Sequence, residues 1–143
     1  MNGYLTDADL ILSDGQALPN NTAADSTNMV KVGGPTGGKT SILVYAATDI
    51  DVLTGKVASI ELQAFTSDTA ASAVSPITAA HVYGLHKTAA DAAIDLAAGD
   101  LVTEIAIPDR LLNENSYTWV QLVYATDDDL SAMKVNAFVV IDA

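Results

Sequence analysis

The sequence predicts an all-β chain, an antiparallel two-sheet sandwich or barrel with at most one short helix. Three observations predict it. Residues 57–65 alternate, with Ala58, Ile60, Leu62 and Ala64 opposing Ser59, Glu61 and Gln63, the period-two pattern of a half-buried strand. Short β-branched and aromatic runs recur at residues 42–47, 78–85, 101–107, 117–125 and 133–141. Turn-forming residues punctuate the intervals, and about eight strands spaced in this way suit two packed sheets better than a βαβ array.

Taken in order, residues 1–9 have little periodicity and read as a mobile N-terminal arm. Residues 9–12 and 16–18 are strand candidates interrupted by Asp14-Gly15, a turn-type dipeptide. Residues 18–25, with Pro19, Asn20 and Asn21, read as a loop, and residues 27–32 alternate as a strand does. A glycine-rich loop follows, and residues 42–47 have the composition of a buried strand. Asp49, Asp51 and Gly55 make residues 48–55 a turn, while residues 66–76 are small and polar, hence loop. The strand at 78–85 carries His81 and Tyr83.

Residues 88–98 are ambiguous, and one short helix is the reading the sequence offers for them. The segment is alanine-rich, Thr88 is placed to cap it with Asp91 three residues on, and Gly99 sits where a helix would stop. Pro108 ends the strand at 101–107, and the last two strands are separated by TDDDLSA, too acidic a loop for a core. No internal repeat is visible.

At 143 residues the chain is expected to form a single sandwich domain, large enough to bury roughly 70% of its unfolded surface. Half of its residues are apolar and the mean hydropathy is +0.28, yet no run approaches the roughly 20 apolar residues of a membrane span. The apolar excess is therefore assigned to the core and to contacts between subunits. Asp7 and Asp9 stand where a signal peptide would be basic and then apolar, so none is expected. The absence of cysteine removes disulfides and thiolate metal sites together. The net charge of −12 is spread along the chain, leaving no basic surface for nucleic acid or an anionic membrane.

Residues 33–40, GGPTGGKT, satisfy the phosphate-loop pattern G-x-x-x-x-G-K-[ST]. That chemistry requires a helix N-terminus behind the glycines, whereas Ser-Ile-Leu-Val-Tyr follows Thr40. A glycine-rich hairpin is the better reading. The run Phe138 to Asp142, an apolar strand ending in an aspartate, is a second decoy because no βαβ alternation joins it to the first. His81 and His86 lie five apart on or beside a strand and face opposite sides, so no shared metal is expected. Asp49 with Asp51, and Asp127 to Asp129, lack calcium-loop spacing. There is no G-x-S-x-G elbow and no catalytic constellation, so no enzyme activity and no cofactor are expected. Trp119 and Tyr117 share one face of their strand, with Tyr124 on the other; packing or a subunit contact suits them better than a sugar platform.

Leu12-Ser13-Asp14-Gly15-Gln16-Ala17-Leu18, then small residues, then Ser26-Thr27-Asn28-Met29-Val30-Lys31-Val32-Gly33 form the one recognisable signature, with Ala137 to Asp142 as a closing strand. In these residues the chain resembles the small cement, or decoration, proteins of tailed bacteriophage capsids, although Lys31 stands where an acid is usual in them. The match covers the first quarter and the last strand. The resemblance implies a jelly-roll sandwich assembled as a homotrimer on the outer capsid surface of a virion, where it binds the major capsid protein and bridges neighbouring capsomers. On that reading Asn2, Tyr4 and Leu5 of the arm, and the loop residues Leu18, Pro19, Asn20 and Asn21, are the expected capsid or subunit contacts. The alternatives are a virion-surface carbohydrate or host-receptor binding module using Trp119, and a nucleotide-binding protein using Lys39 and Thr40.

Overall fold

The computed structural model describes residues 10–31, 39–53, 58–65, 77–83, 94–107 and 119–142. These hold the strands β1 (Ile11–Ala17), β2 (Ala23–Asp25), β3 (Val30–Lys31), β4 (Lys39–Ala46), β5 (Ile50–Val52), β6 (Ala58–Phe65), β7 (Ile77–Tyr83), β8 (Ile94–Leu96), β9 (Leu101–Ala106), β10 (Trp119–Thr126) and β11 (Lys134–Asp142). One sheet has the order β1-β11-β4-β9. The other runs β2-β10-β6-β7, with β3 also on β10, and β5 pairs with β8 as a separate ribbon. Every pairing is antiparallel. The chain is thus an all-β antiparallel sandwich, as predicted, and among the described residues there is no α-helix.

Residue parity decides which side chains enter the core. Ile42, Val44 and Ala46 of β4 and Val135, Ala137 and Val139 of β11 face Ala58, Ile60 and Leu62 of β6 and Val120, Leu122 and Tyr124 of β10 in one contiguous cluster. The two central strands of the first sheet are buried on their other face as well. Leu43 and Phe138 are in register and buried there, and the Tyr45 ring stacks on Phe138 with centroids 5.8 Å apart and planes at 12°. Burial of both faces is why these segments read as nearly unbroken apolar runs. The β6–β10 pair keeps strict register from Trp119↔Phe65 to Thr126↔Ala58, as the clean alternation of residues 57–65 requires.

Five segments depart from the sequence reading. Asp14-Gly15 is no turn: β1 continues through it, with register shifts between Ile11 and Ser13 and between Ser13 and Gln16. Gly15 takes a φ of 59°, so the dipeptide forms a bulge, for which a left-handed glycine serves as well as it does in a turn. The loop at 18–25 contains β2, and the strand expected at 27–32 is confined to Val30–Lys31 within the described residues.

The turn expected at 48–55 contains β5, whose Ile50 and Val52 are fully buried and, with Leu18 and Leu130, belong to the core. Its partner β8 occupies residues that helix propensity claimed. The Ile94-Asp95-Leu96 alternation pairs with Val52-Asp51-Ile50, and that pairing overrides the preference of alanine for helix. Gly99, expected as a helix stop, instead turns the chain toward β9 with a φ of 93°, its N–H donating to Ala46 O.

Leu122 lies at the centre of this core and Leu53 is exposed. Leu122→Ala is expected to lower unfolding free energy by about 2–5 kcal/mol, and Leu53→Ala to change it by no more than about 0.5 kcal/mol, both read from urea denaturation midpoints.

Candidate functional site

The signature residues meet at one edge of the sandwich. Because β1 bulges, Ser13 points inward beside Leu12 and is 1% exposed. A buried hydroxyl is costly unless bonded, and this one has two partners. Ser13 Oγ donates to Gln16 Oε1 at 2.6 Å and lies 2.8 Å from the Tyr124 hydroxyl of the opposite sheet. Since the serine proton goes to Gln16, the tyrosine proton is the one shared with Ser13.

Gln16 carries the network outward. Its Oε1 also accepts the Thr27 N–H at 2.9 Å, and its Nε2 donates to Asp25 O at 2.8 Å. The crossing between β2 and β3 is then fixed residue by residue. Ser26 N donates to Leu122 O, Leu122 N to Ser26 Oγ, and Ser26 Oγ to Asn28 O. Asn28 N donates to Leu12 O, and Asn28 Nδ2 to Ile11 O. On the other side of β1, Gly15 N donates to Asn136 Oδ1 at 2.7 Å. The Ser-Asp-Gly-Gln and Ser-Thr-Asn strings are therefore two halves of one polar clasp that ties the edge of the first sheet to the second. The clasp consists of hydroxyls, amides and backbone groups, which suits it to holding structure rather than to acid–base or nucleophilic chemistry.

Tyr124 was not singled out as a clasp residue by its sequence, though the signal was present. Its parity places it with Val120 and Leu122 on the inward face, and an inward tyrosine requires a partner for its hydroxyl. Burial pushes this hydroxyl up to about 12, with the hydrogen bond to Ser13 acting in the opposite sense.

The expected contact loop lies at the end of β1. Leu18 N donates to Met133 O, Leu130 N to Pro19 O, Asn21 N to Asp128 O, and Thr126 N to Thr22 O, so residues 18–22 are laced to the end of β10 and to the acidic loop 127–133 that follows it. Of the four loop residues expected at a contact, Leu18 belongs to the core and Pro19 is buried, while Asn20 and Asn21 are exposed. Asn21 holds a φ of 51°, a left-handed conformation that asparagine tolerates, and its Nδ2 donates to Asn20 Oδ1 at 2.6 Å. The facing loop is pinned by Leu130, a core residue inside a segment too acidic to have been assigned to the core. Two hydrogen bonds from Ser131 to Asp129 Oδ1 hold the exposed Asp129 carboxyl below its ordinary range. Asn2, Tyr4 and Leu5 lie outside the described residues.

The remaining candidates separate in space. Lys39 and Thr40 open strand β4, in register with Asp142 and Ile141, where the phosphate-loop pattern would need a helix; the glycines before them are outside the described residues. His81 is in β7, and His86 falls outside the described residues. Asp51 and Asp95 oppose each other across the ribbon, and among the described residues no group of three or more acids and histidines is arranged to hold a metal. Trp119 is half-buried on the outer face of the second sheet, between Lys31 and Phe65 in register, and Tyr117 is outside the described residues. Two positions along that face Gln121 is buried, its Nε2 donating to Gln63 Oε1 at 3.0 Å. Set against known proteins, the chain matches no family model and no curated protein.

The clasp has a signature in alkali. In the unfolded chain Tyr124 ionises near 10.0, but in the fold only at about 12, so its contribution to stability is complete below pH 10 and is lost as the pH rises to about 12. Urea midpoints of the wild type should fall across that window. Those of Tyr124→Phe should start lower, by about 0.5–1.5 kcal/mol for one lost hydrogen bond, and fall less.

Proposed function

We propose that the chain is a non-enzymatic structural protein that binds the outer surface of a bacteriophage capsid and stabilises it by bridging neighbouring capsomers. The observation that carries the reading is the clasp. The residues by which the sequence resembles phage decoration proteins are joined to one another by hydrogen bonds, and so the resemblance concerns one folding unit rather than two unrelated strings. On this reading the sandwich is of the jelly-roll type and assembles as a homotrimer, with the major capsid protein as its partner.

The physical rationale is multivalency. Internal pressure from a packaged genome opens a shell at its seams, and a trimer touching several capsid subunits adds contact area across them. Once one contact forms, the others become intramolecular, so three weak contacts act together. The net charge of −12 keeps a rather apolar chain soluble before it is mounted. The laced loop carrying Asn20 and Asn21 is a pre-ordered contact, with little conformational entropy left to lose on binding.

Light scattering of the purified chain is expected to give the mass of a trimer, and the chain is expected to sediment with capsids stripped of their decoration. Asn20→Lys, at an exposed position, should weaken that binding by about 1 kcal/mol or more without lowering thermal stability. A strict monomer that leaves such capsids undecorated would overturn the proposal. A second reading, a carbohydrate or receptor-binding module, has the half-buried Trp119 in its favour; glycan binding abolished by Trp119→Ala would select it.

A further inference from the structure

Asp14-Gly15 is the only Asp-Gly pair in the chain. Such a pair is chemically labile, because glycine leaves its amide nitrogen unhindered beside the aspartate carboxyl. The nitrogen adds to Asp14 Cγ, the amide gives up its proton, and one oxygen of the protonated carboxyl leaves as water, closing a five-membered succinimide. One water then reopens the ring at either carbonyl. The product is aspartate, or an isoaspartate whose main chain runs through Cβ and Cγ. Water lost equals water regained, and no oxidant or cofactor takes part.

We infer that Asp14-Gly15 is a self-isomerising site that the fold holds shut through Asn136. Asp14 is exposed, so solvent has access to its carboxyl. Crowding does not protect the peptide either: a Cβ placed on Gly15 meets nothing within 4 Å. What restrains the nucleophile is its hydrogen bond. The Gly15 N–H is directed at Asn136 Oδ1 at 2.7 Å, within a strand whose flanking residues Ser13 and Gln16 are paired to Ala137 and Val135. To attack Cγ, the nitrogen must leave that acceptor and the bulge must open, so the reaction draws only on the locally open population. The outcome matters to the clasp, since an isoaspartate adds a backbone atom between Ser13 and Gln16, the two side chains that hold it.

The test ages the full-length protein at neutral pH and maps isoaspartate at residue 14 by peptide mass spectrometry with an isoaspartyl methyltransferase assay. Asn2-Gly3 deamidates with a gain in mass and is thereby told apart. Isoaspartate should accumulate in urea-unfolded chain and stay at baseline in folded chain. Asn136→Ala should raise the folded-state rate about fivefold, the factor by which one ordinary hydrogen bond changes an open population, and Asn136→Asp, which keeps an acceptor oxygen, should restore protection. The Gly15 amide should also be slow in hydrogen exchange in the wild type, a reading that needs no variant to fold. Equal rates in folded and unfolded chain, a folded Asn136→Ala that behaves as wild type, or a fast-exchanging Gly15 amide would each overturn the inference.

Discussion

A hydroxyl carried into an apolar core must find a partner there, and in this protein that requirement fixes the edge of the sandwich. Ser13 is turned inward because β1 bulges, and β1 bulges because Gly15 takes a left-handed conformation. Once inward, Ser13 is satisfied by Tyr124 from the second sheet and by Gln16, the residue that follows the bulge. Gln16 in turn uses its amide to hold Thr27 and Asp25. Sheet spacing, bulge geometry and the path of the β2–β3 crossing are thus consequences of one polar network, each part of which would be under-bonded without the others.

The same network manages an exposed edge. β1 lies at the margin of its sheet, where free backbone groups are a template for unwanted pairing. Asn28 covers it, taking Leu12 O with its backbone and Ile11 O with its side chain. At the neighbouring end of the sandwich, Ile50 and Val52 of the ribbon and Leu18 and Leu130 of the two laced loops close the core. A chain with so large an apolar fraction and no cysteine keeps its stability in burial and in this closure. Such a scaffold suits a protein whose work is to present fixed surfaces to a partner, which is the role proposed for it.

The parts of the fold legible in the sequence were those in which one local rule acts alone. Period-two alternation in β6 and the β-branched runs of β4 and β11 were enough, because their register and burial follow from parity. Segments governed by a distant partner were not legible. Asp14-Gly15 satisfies a turn and a bulge equally, and the choice depends on Asn136 and Tyr124, more than a hundred residues away in sequence. Residues 94–96 carry helix-prone neighbours, and only pairing with Ile50–Val52 makes them a strand. Composition hid Leu130 inside an acidic loop, and it made Leu18 and Pro19 look like surface because turn residues follow them. The signature itself was visible as a pattern, but its physical meaning, two strings bonded to one another, appears only once β1 and the crossing are side by side.

The central claim is that the two halves of the signature form one cooperative unit with the core, and native-state hydrogen exchange of the Thr27 and Asn28 amides tests it most directly. Both amides are donated into β1, to Gln16 Oε1 and Leu12 O. If the clasp closes the sandwich, they exchange only when the whole protein unfolds, with the same free energy and denaturant dependence as the amide of Val44 in β4, which is paired on both sides by β11 and β9. Exchange through a local opening insensitive to denaturant, while Val44 stays protected, would contradict the claim and reduce the crossing to a loop lying on a sandwich that is stable without it.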